Sequence, residues 1–158
     1  MKQYVGLDVS QDETHICVVD RDGNKLWEGS CESTPEGIGA AVKEHAPDAV
    51  KIGFESGHLS TWHWHGLNDM GLPAICIDAY HAHGVLRLQM NKTDKNDAHG
   101  IAQIMRCGWY KPVTIKSFEN HESRALFRTR SNLVSMRTDV VNQIRGMLKT
   151  FGIIIKGI

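Results

Sequence analysis

Residues 4–30, YVGLDVSQDETHICVVDRDGNKLWEGS, decide the fold. Tyr4 to Val9 reads as a buried strand that delivers Asp8 near its end. Thr14 to Val19, THICVV, is rich in β-branched residues and reads as a second strand. Arg21-Asp22-Gly23-Asn24 is a turn of the Asp-Gly kind, so Lys25 to Ser30 is expected to fold back as a hairpin. Three antiparallel strands therefore open the chain.

The pattern then changes. Thr34 can cap a helix and Pro35 suits its first position, which predicts a helix to about His45, stopping before Pro47. Ala49 to Phe54 reads as a fourth strand with Glu55 at its end. His58 to Met70 is expected to be helical, closed by Gly71, and Pro73 to Ile77 is a fifth strand. Residues 80–90 have no clear period; Asp94 to Cys107 looks helical and ends at Gly108. Three strands followed by alternating helices and strands make an α/β protein with a mixed sheet and flanking helices. This is the order of the ribonuclease-H-like fold. Sugar kinases and actin-like ATPases share it, so the order alone leaves both classes open.

Residues 119–151 differ in character. Leu126, Leu133, Val140 and Met147 recur every seven residues, and Phe127, Val134, Val141 and Leu148 follow one position later. No Pro or Gly interrupts Asn120 to Arg145. A long helix with a coiled-coil-like face is expected; about 32 residues would span roughly 48 Å. A helix packed on its own domain is the alternative. The predicted division is residues 1–115 as a catalytic domain, 116–152 as the long helix, and 153–158 as a linker cut short before a further domain.

The composition excludes some classes. The 158 residues contain no apolar run long enough to cross a membrane as a helix and no secretory signal pattern. Cys17, Cys31, Cys76 and Cys107 are widely spaced, which fits reduced, mostly buried thiols of a cytoplasmic protein better than a metal knuckle. The formal net charge of zero hides an asymmetry. Residues 1–80 hold 5 Lys/Arg against 13 Asp/Glu, and residues 81–158 hold 13 against 5, giving −8 and +8. A basic second half suits a polyanion, although the two halves could also attract each other.

Asp8 and Glu55 each end a predicted strand, and Asp94 and Asp97 lie three apart at a helix start. Brought together, such carboxylates repel; a pair ~4 Å apart at an effective dielectric of about 20 costs roughly 4 kcal/mol. A divalent cation removes that cost, and Mg2+ prefers carboxylate oxygens while keeping waters that phosphate can replace. By themselves these acids equally read as turn and capping residues. His63 with His65 and His81 with His83 are expected to be surface or packing residues, since residues two apart on a helix do not share a face. Trp62 and Trp64 are expected to lie between helix and sheet. Lys92 and Lys95 flank the acidic pair and either hold phosphates or are ordinary helix-start residues; Ser10, two residues past Asp8, could bond a phosphate or a metal-bound water and could equally shape the turn.

Three segments carry a resemblance: Tyr4-Val5-Gly6-Leu7-Asp8-Val9-Ser10, Phe54-Glu55-Ser56-Gly57-His58 and Lys92-Thr93-Asp94-Lys95-Asn96-Asp97-Ala98. Together they resemble the DEDD transposases of insertion sequences, relatives of Piv-type invertases and bridge-RNA-guided recombinases. The resemblance implies a RuvC-like domain whose catalytic, metal-binding acids are Asp8, Glu55, Asp94 and Asp97, with Mg2+ or Mn2+ as cofactor. It implies DNA as substrate, a structured guide RNA as a further partner, and a coiled coil after the catalytic domain. Arg124, Arg128, Arg130 and Arg137, with Lys92 and Lys95, are the expected nucleic-acid contacts, and the long helix the expected seam of a homo-oligomer. Family members continue into a second domain with a nucleophilic serine, to which nothing here corresponds. A non-catalytic docking and dimerisation module is the main alternative; it predicts no dependence on Mg2+. A sugar kinase or ATPase would need glycine-rich phosphate loops, yet Asp8 is followed by Val-Ser-Gln-Asp-Glu.

Overall fold

The computed structural model describes residues 1–86 and 94–155, except for the side chains of residues 85–86 and 94–96. The element order is β1 (Gln3–Val9), β2 (Glu13–Asp20), β3 (Lys25–Glu32), α1 (Pro35–His45), β4 (Ala49–Glu55), α2 (Ser60–Asp69), β5 (Ala74–Ile77), α3 (Ala79–Leu86), α4 (Asp94–Cys107) and α5 (Phe118–Thr150). Two compact units divide it, residues 1–115 and 116–158.

The first unit is built on a five-stranded sheet in the order β3-β2-β1-β4-β5. β1 pairs antiparallel with β2 and parallel with β4, and β4 pairs parallel with β5. The mixed sheet read from the sequence is thus present. Its hairpin turn is held by Asp20, whose carboxylate accepts from the amides of Asp22 (2.8 Å) and Asn24 (2.9 Å) and from the Asn24 side chain (2.9 Å). These bonds, the Asn24 side chain foremost, lower its pKa. Gly23 takes φ 92°, a left-handed conformation that an L side chain rarely adopts. Thr34 caps α1 as expected, its Oγ1 accepting from the Gly37 amide at 3.0 Å.

Alternation along the strands separates two layers. Val5, Leu7, Ile16, Val18 and Phe54 pack with Ile38 and Val42 of α1 and Leu67 of α2. On the opposite face Cys17 and Val19 pack with Ala98 and Ala102 of α4. α4 lies almost on the backbone of β1, because Gly6 presents no side chain: a methyl placed there would overlap the Ala98 carbonyl and the Ala102 amide nitrogen. Gly53, paired with Gly6 across β1 and β4, makes the same room for Ile101 and Met105.

Several expectations need correction. α2 runs from Ser60 to Asp69, shorter at both ends than the predicted 58–70, and no side chain caps its start. The ambiguous stretch after residue 80 begins as helix α3. Trp64 packs against the core as expected, but Trp62 is 42% exposed. Its place on α2, one residue before the fully buried His63, turns it away from the sheet. Cys17 and Cys76 are buried, Cys31 is half-buried and Cys107 is exposed; all are free thiols. Burial pushes the Cys17 thiol up to about 11, which keeps it protonated and unreactive. Among the described residues no helix is long and apolar enough to cross a membrane.

The second unit is dominated by the 33-residue α5, none of whose residues is buried. Gly152, at φ 76°, ends it: its amide bonds to Lys149 O and that of Ile153 to Leu148 O, both at 3.0 Å.

Candidate functional site

β1 and β4 run parallel, so their C-terminal ends meet at one sheet edge. The register pairs Gly6 with Gly53 and Leu7 with Phe54, which puts Asp8 and Glu55 at the next neighbouring positions. Adjacent strands are about 4.8 Å apart. Two residues on from Gly6 and Gly53, both acids belong to the face covered by α4. Both are half-buried.

The direction of α4 brings its first turn to the same edge. Ala98 and Ala102 sit over Gly6, in the middle of β1. Further along the helix, Gln103 Nε2 donates to Gly23 O at 2.8 Å and Arg106 bonds to Arg21 O at 3.4 Å, at the opposite end of β1. α4 therefore runs against β1, and its start lies toward the edge of Asp8 and Glu55. Asp97, half-buried, is in that first turn. Asp94 and Lys95 begin the helix, but their side chains lie outside the described parts, and Lys92 lies outside the described residues. Among the described residues no three His, Cys, Asp or Glu side chains stand close enough to hold a metal ion. What the fold brings together is the pair Asp8 and Glu55 on neighbouring strand ends; Asp97 lies on the overlying helix without forming a three-acid cluster with them.

The loops at this edge are tied down. Ser33 Oγ donates to Ser10 O at 2.7 Å, and Thr14 Oγ1 bonds to Ser33 Oγ at 2.6 Å, fastening the β1–β2 loop to the end of β3. Ser10 Oγ donates to Glu13 O at 2.5 Å and accepts from the Glu13 amide at 3.3 Å. Of its two readings, phosphate ligand or turn former, Ser10 takes the second. After β4, Ser60 Oγ accepts from the Gly57 amide at 2.5 Å and is 3.4 Å from Glu55 O. Between these loops lies a cavity of about 470 Å³, lined by Val9, Ser10, Gln11, Glu55, Gly57, His58, Leu59 and Ser60. No sequence signal marked Gln11 or Leu59 as part of the site; they come from loops that only the sheet pairing makes neighbours.

The His-x-His pairs do not form ligand sets. His63 is fully buried with its Nδ1 3.0 Å from Leu59 O, whereas His65 is half-buried. His81 Nδ1 bonds to Asp78 at 3.0 Å, which lowers the Asp78 pKa. Arg124, Arg128, Arg130 and Arg137 are all exposed along α5.

A family model for DEDD transposases of the IS110 type, described as a transposase, matches residues 5–153. The transposase for insertion sequence element IS1111A of Coxiella burnetii (strain RSA 493 / Nine Mile phase I) is 27% identical over 155 residues, covering 96% of this chain and 40% of that protein. A probable family 20 transposase of Pseudomonas aeruginosa is 38% identical over 66 residues, covering 40% of this chain and 20% of that protein. The chain thus spans less than half the length of these relatives. Thermus thermophilus RuvC matches with a TM-score of 0.50 at 15% identity, covering 70% of this chain and 99% of that one. The fold is RuvC-like.

Proposed function

The chain belongs to the DEDD transposases of the IS110 type, and from that premise we propose that it is a metal-dependent catalytic region acting on DNA phosphodiester bonds during insertion-sequence movement. The observation that carries the reading is the β1–β4 register, which sets Asp8 beside Glu55 at one sheet edge. The donors suit Mg2+ or Mn2+: they are carboxylate oxygens, and no cysteine lines the cavity at this edge. Mg2+ retains waters and needs only one or two protein carboxylates, so Asp8 and Glu55 suffice as its anchor, with Asp97 and Asp94 completing the set. When bound, the cation would neutralise charge at the scissile phosphate and orient the attacking oxygen.

The chain's own part is positional. The rigid strand ends hold Asp8 and Glu55, and α4 carries its acids toward them. Lys92 and Lys95 supply positive charge for the flanking phosphates in this reading. The family match sets aside the kinase and ATPase alternatives. Mn2+ titration by calorimetry tests the proposal. The chain should bind Mn2+, and Asp8→Ala and Glu55→Ala should each weaken binding at least about tenfold. Unchanged affinity in both variants would remove these acids from the metal site.

The exposed rows on α5 support a second element of the reading, a partner helix from another copy. Leu126, Leu133, Val140 and Met147 are between 53% and 73% exposed. Apolar seven-residue repeats of this length are buried in coiled coils, and in this reading the exposed arginines beside them contact DNA. Sedimentation should give a dimer that Leu133→Glu converts to monomer; a wild-type monomer at micromolar concentration would reject it.

A further inference from the structure

The cavity beside Glu55 has a composition that the phosphodiester chemistry does not explain. A phosphate-binding notch is lined by cations and amides. Here Val9 and Leu59 contribute apolar surface, and the described lining contains no Lys or Arg. Its volume of about 470 Å³ lies in the range of sites that enclose small molecules. The hydroxyls of Ser10 and Ser60 are engaged in their own loops. The side chains of Gln11 and His58 are exposed at its rim. A primary amide offers both a donor and an acceptor, and a neutral imidazole offers one of each. An apolar slot with mixed donors and acceptors at its rim matches an aromatic heterocycle with polar edges. It does not match a free phosphate or a lipid chain.

We propose that this cavity receives an unstacked nucleobase of the DNA strand held at the acidic edge, with Val9 and Leu59 against the ring and Gln11 and His58 on its polar edge. The inference rests on the reading that the chain acts on DNA. Glu55 belongs to both the cavity and the acidic edge, so a strand with a phosphate at that edge has a neighbouring base within reach of the cavity. Enzymes that do chemistry on a base draw it out of the stack into a closely fitting pocket that offsets the unstacking cost, and a pocket beside a strand held at its backbone can take a base in the same way.

Gly57 provides a fold-sparing test. It lines the cavity, and a Cβ built on it meets no atom within 4 Å, so Gly57→Leu narrows the space without a clash at its Cβ. The probes are a short fluorescent single-stranded DNA and an abasic deoxyribose-phosphate oligomer of equal length and charge, both read by anisotropy without metal. The wild-type chain should prefer the base-bearing strand by about tenfold. Gly57→Leu should remove most of that preference, and Gln11→Ala/His58→Ala should reduce it severalfold; in both, affinity for the abasic oligomer should stay constant. Equal wild-type affinity for the two probes overturns the pocket and leaves the action on phosphodiesters standing. A preference that survives both variants assigns base binding elsewhere and also overturns it. If neither probe binds, the DNA reading and the pocket fail together.

Discussion

Alanine at Asp8 should lower metal-dependent DNA strand cleavage at least about a hundredfold, while the chain still folds. The expectation follows from the proposed function. A residue that anchors a cation at the reacting phosphate contributes most when charge develops there, so the loss falls on the rate more than on DNA binding. Stability should move little by comparison. Asp8 is half-buried near the end of β1, at the sheet edge, and is not part of the packed core. Circular dichroism melting and a cleavage assay on the same preparation separate the two effects. Asp8→Asn, which keeps shape and removes charge, should be as inactive as Asp8→Ala. Normal cleavage by Asp8→Asn would show that the negative charge at this position is not needed.

Gly6→Ala should destabilise the chain by about 3 kcal/mol or more, lowering Tm by roughly 10 °C. Overpacking usually costs less because side chains swing aside. Here the added methyl meets the backbone of α4 at Ala98 and Ala102, and a helix backbone has no rotamer to change. Gly53→Ala is the internal control. Its methyl meets the Sδ and Cγ of Met105, an unbranched and adaptable side chain, and should cost about 1–2 kcal/mol. The ranking carries the argument: a Gly6→Ala chain as stable as Gly53→Ala would mean that α4 does not sit on β1 as closely as described. The same substitution should weaken Mn2+ binding, because lifting α4 moves Asp97 away from Asp8 and Glu55.

Much of the fold was legible because its signals are local. The Asp-Gly turn gave the β2–β3 hairpin, and Thr34-Pro35 gave the start of α1 to the residue. Gly108 marks the end of α4, whose expected span, Asp94 to Cys107, matches the observed one. The signals failed where local chemistry is silent. α2 starts without a capping side chain, so its first residue was misplaced. Trp62 and Trp64 look alike in sequence, yet only Trp64 turns toward the core. Ser10, two residues past Asp8, suggests phosphate binding; the turn to Glu13 engages its hydroxyl.

The sequence by itself determined the elements, their order and the acids at their ends, because caps, turns and alternation act over a few residues. It determined the family as well, through three separated segments. Only the tertiary structure decided that Asp8 and Glu55 are neighbours, because that follows from β1 pairing in parallel with β4, a strand more than forty residues away. Only it decided that α4 runs back over Gly6 and that Gln11, His58 and Leu59 enclose one cavity. Such neighbours are chosen by which apolar faces bury each other, and that choice is made by the whole sheet at once.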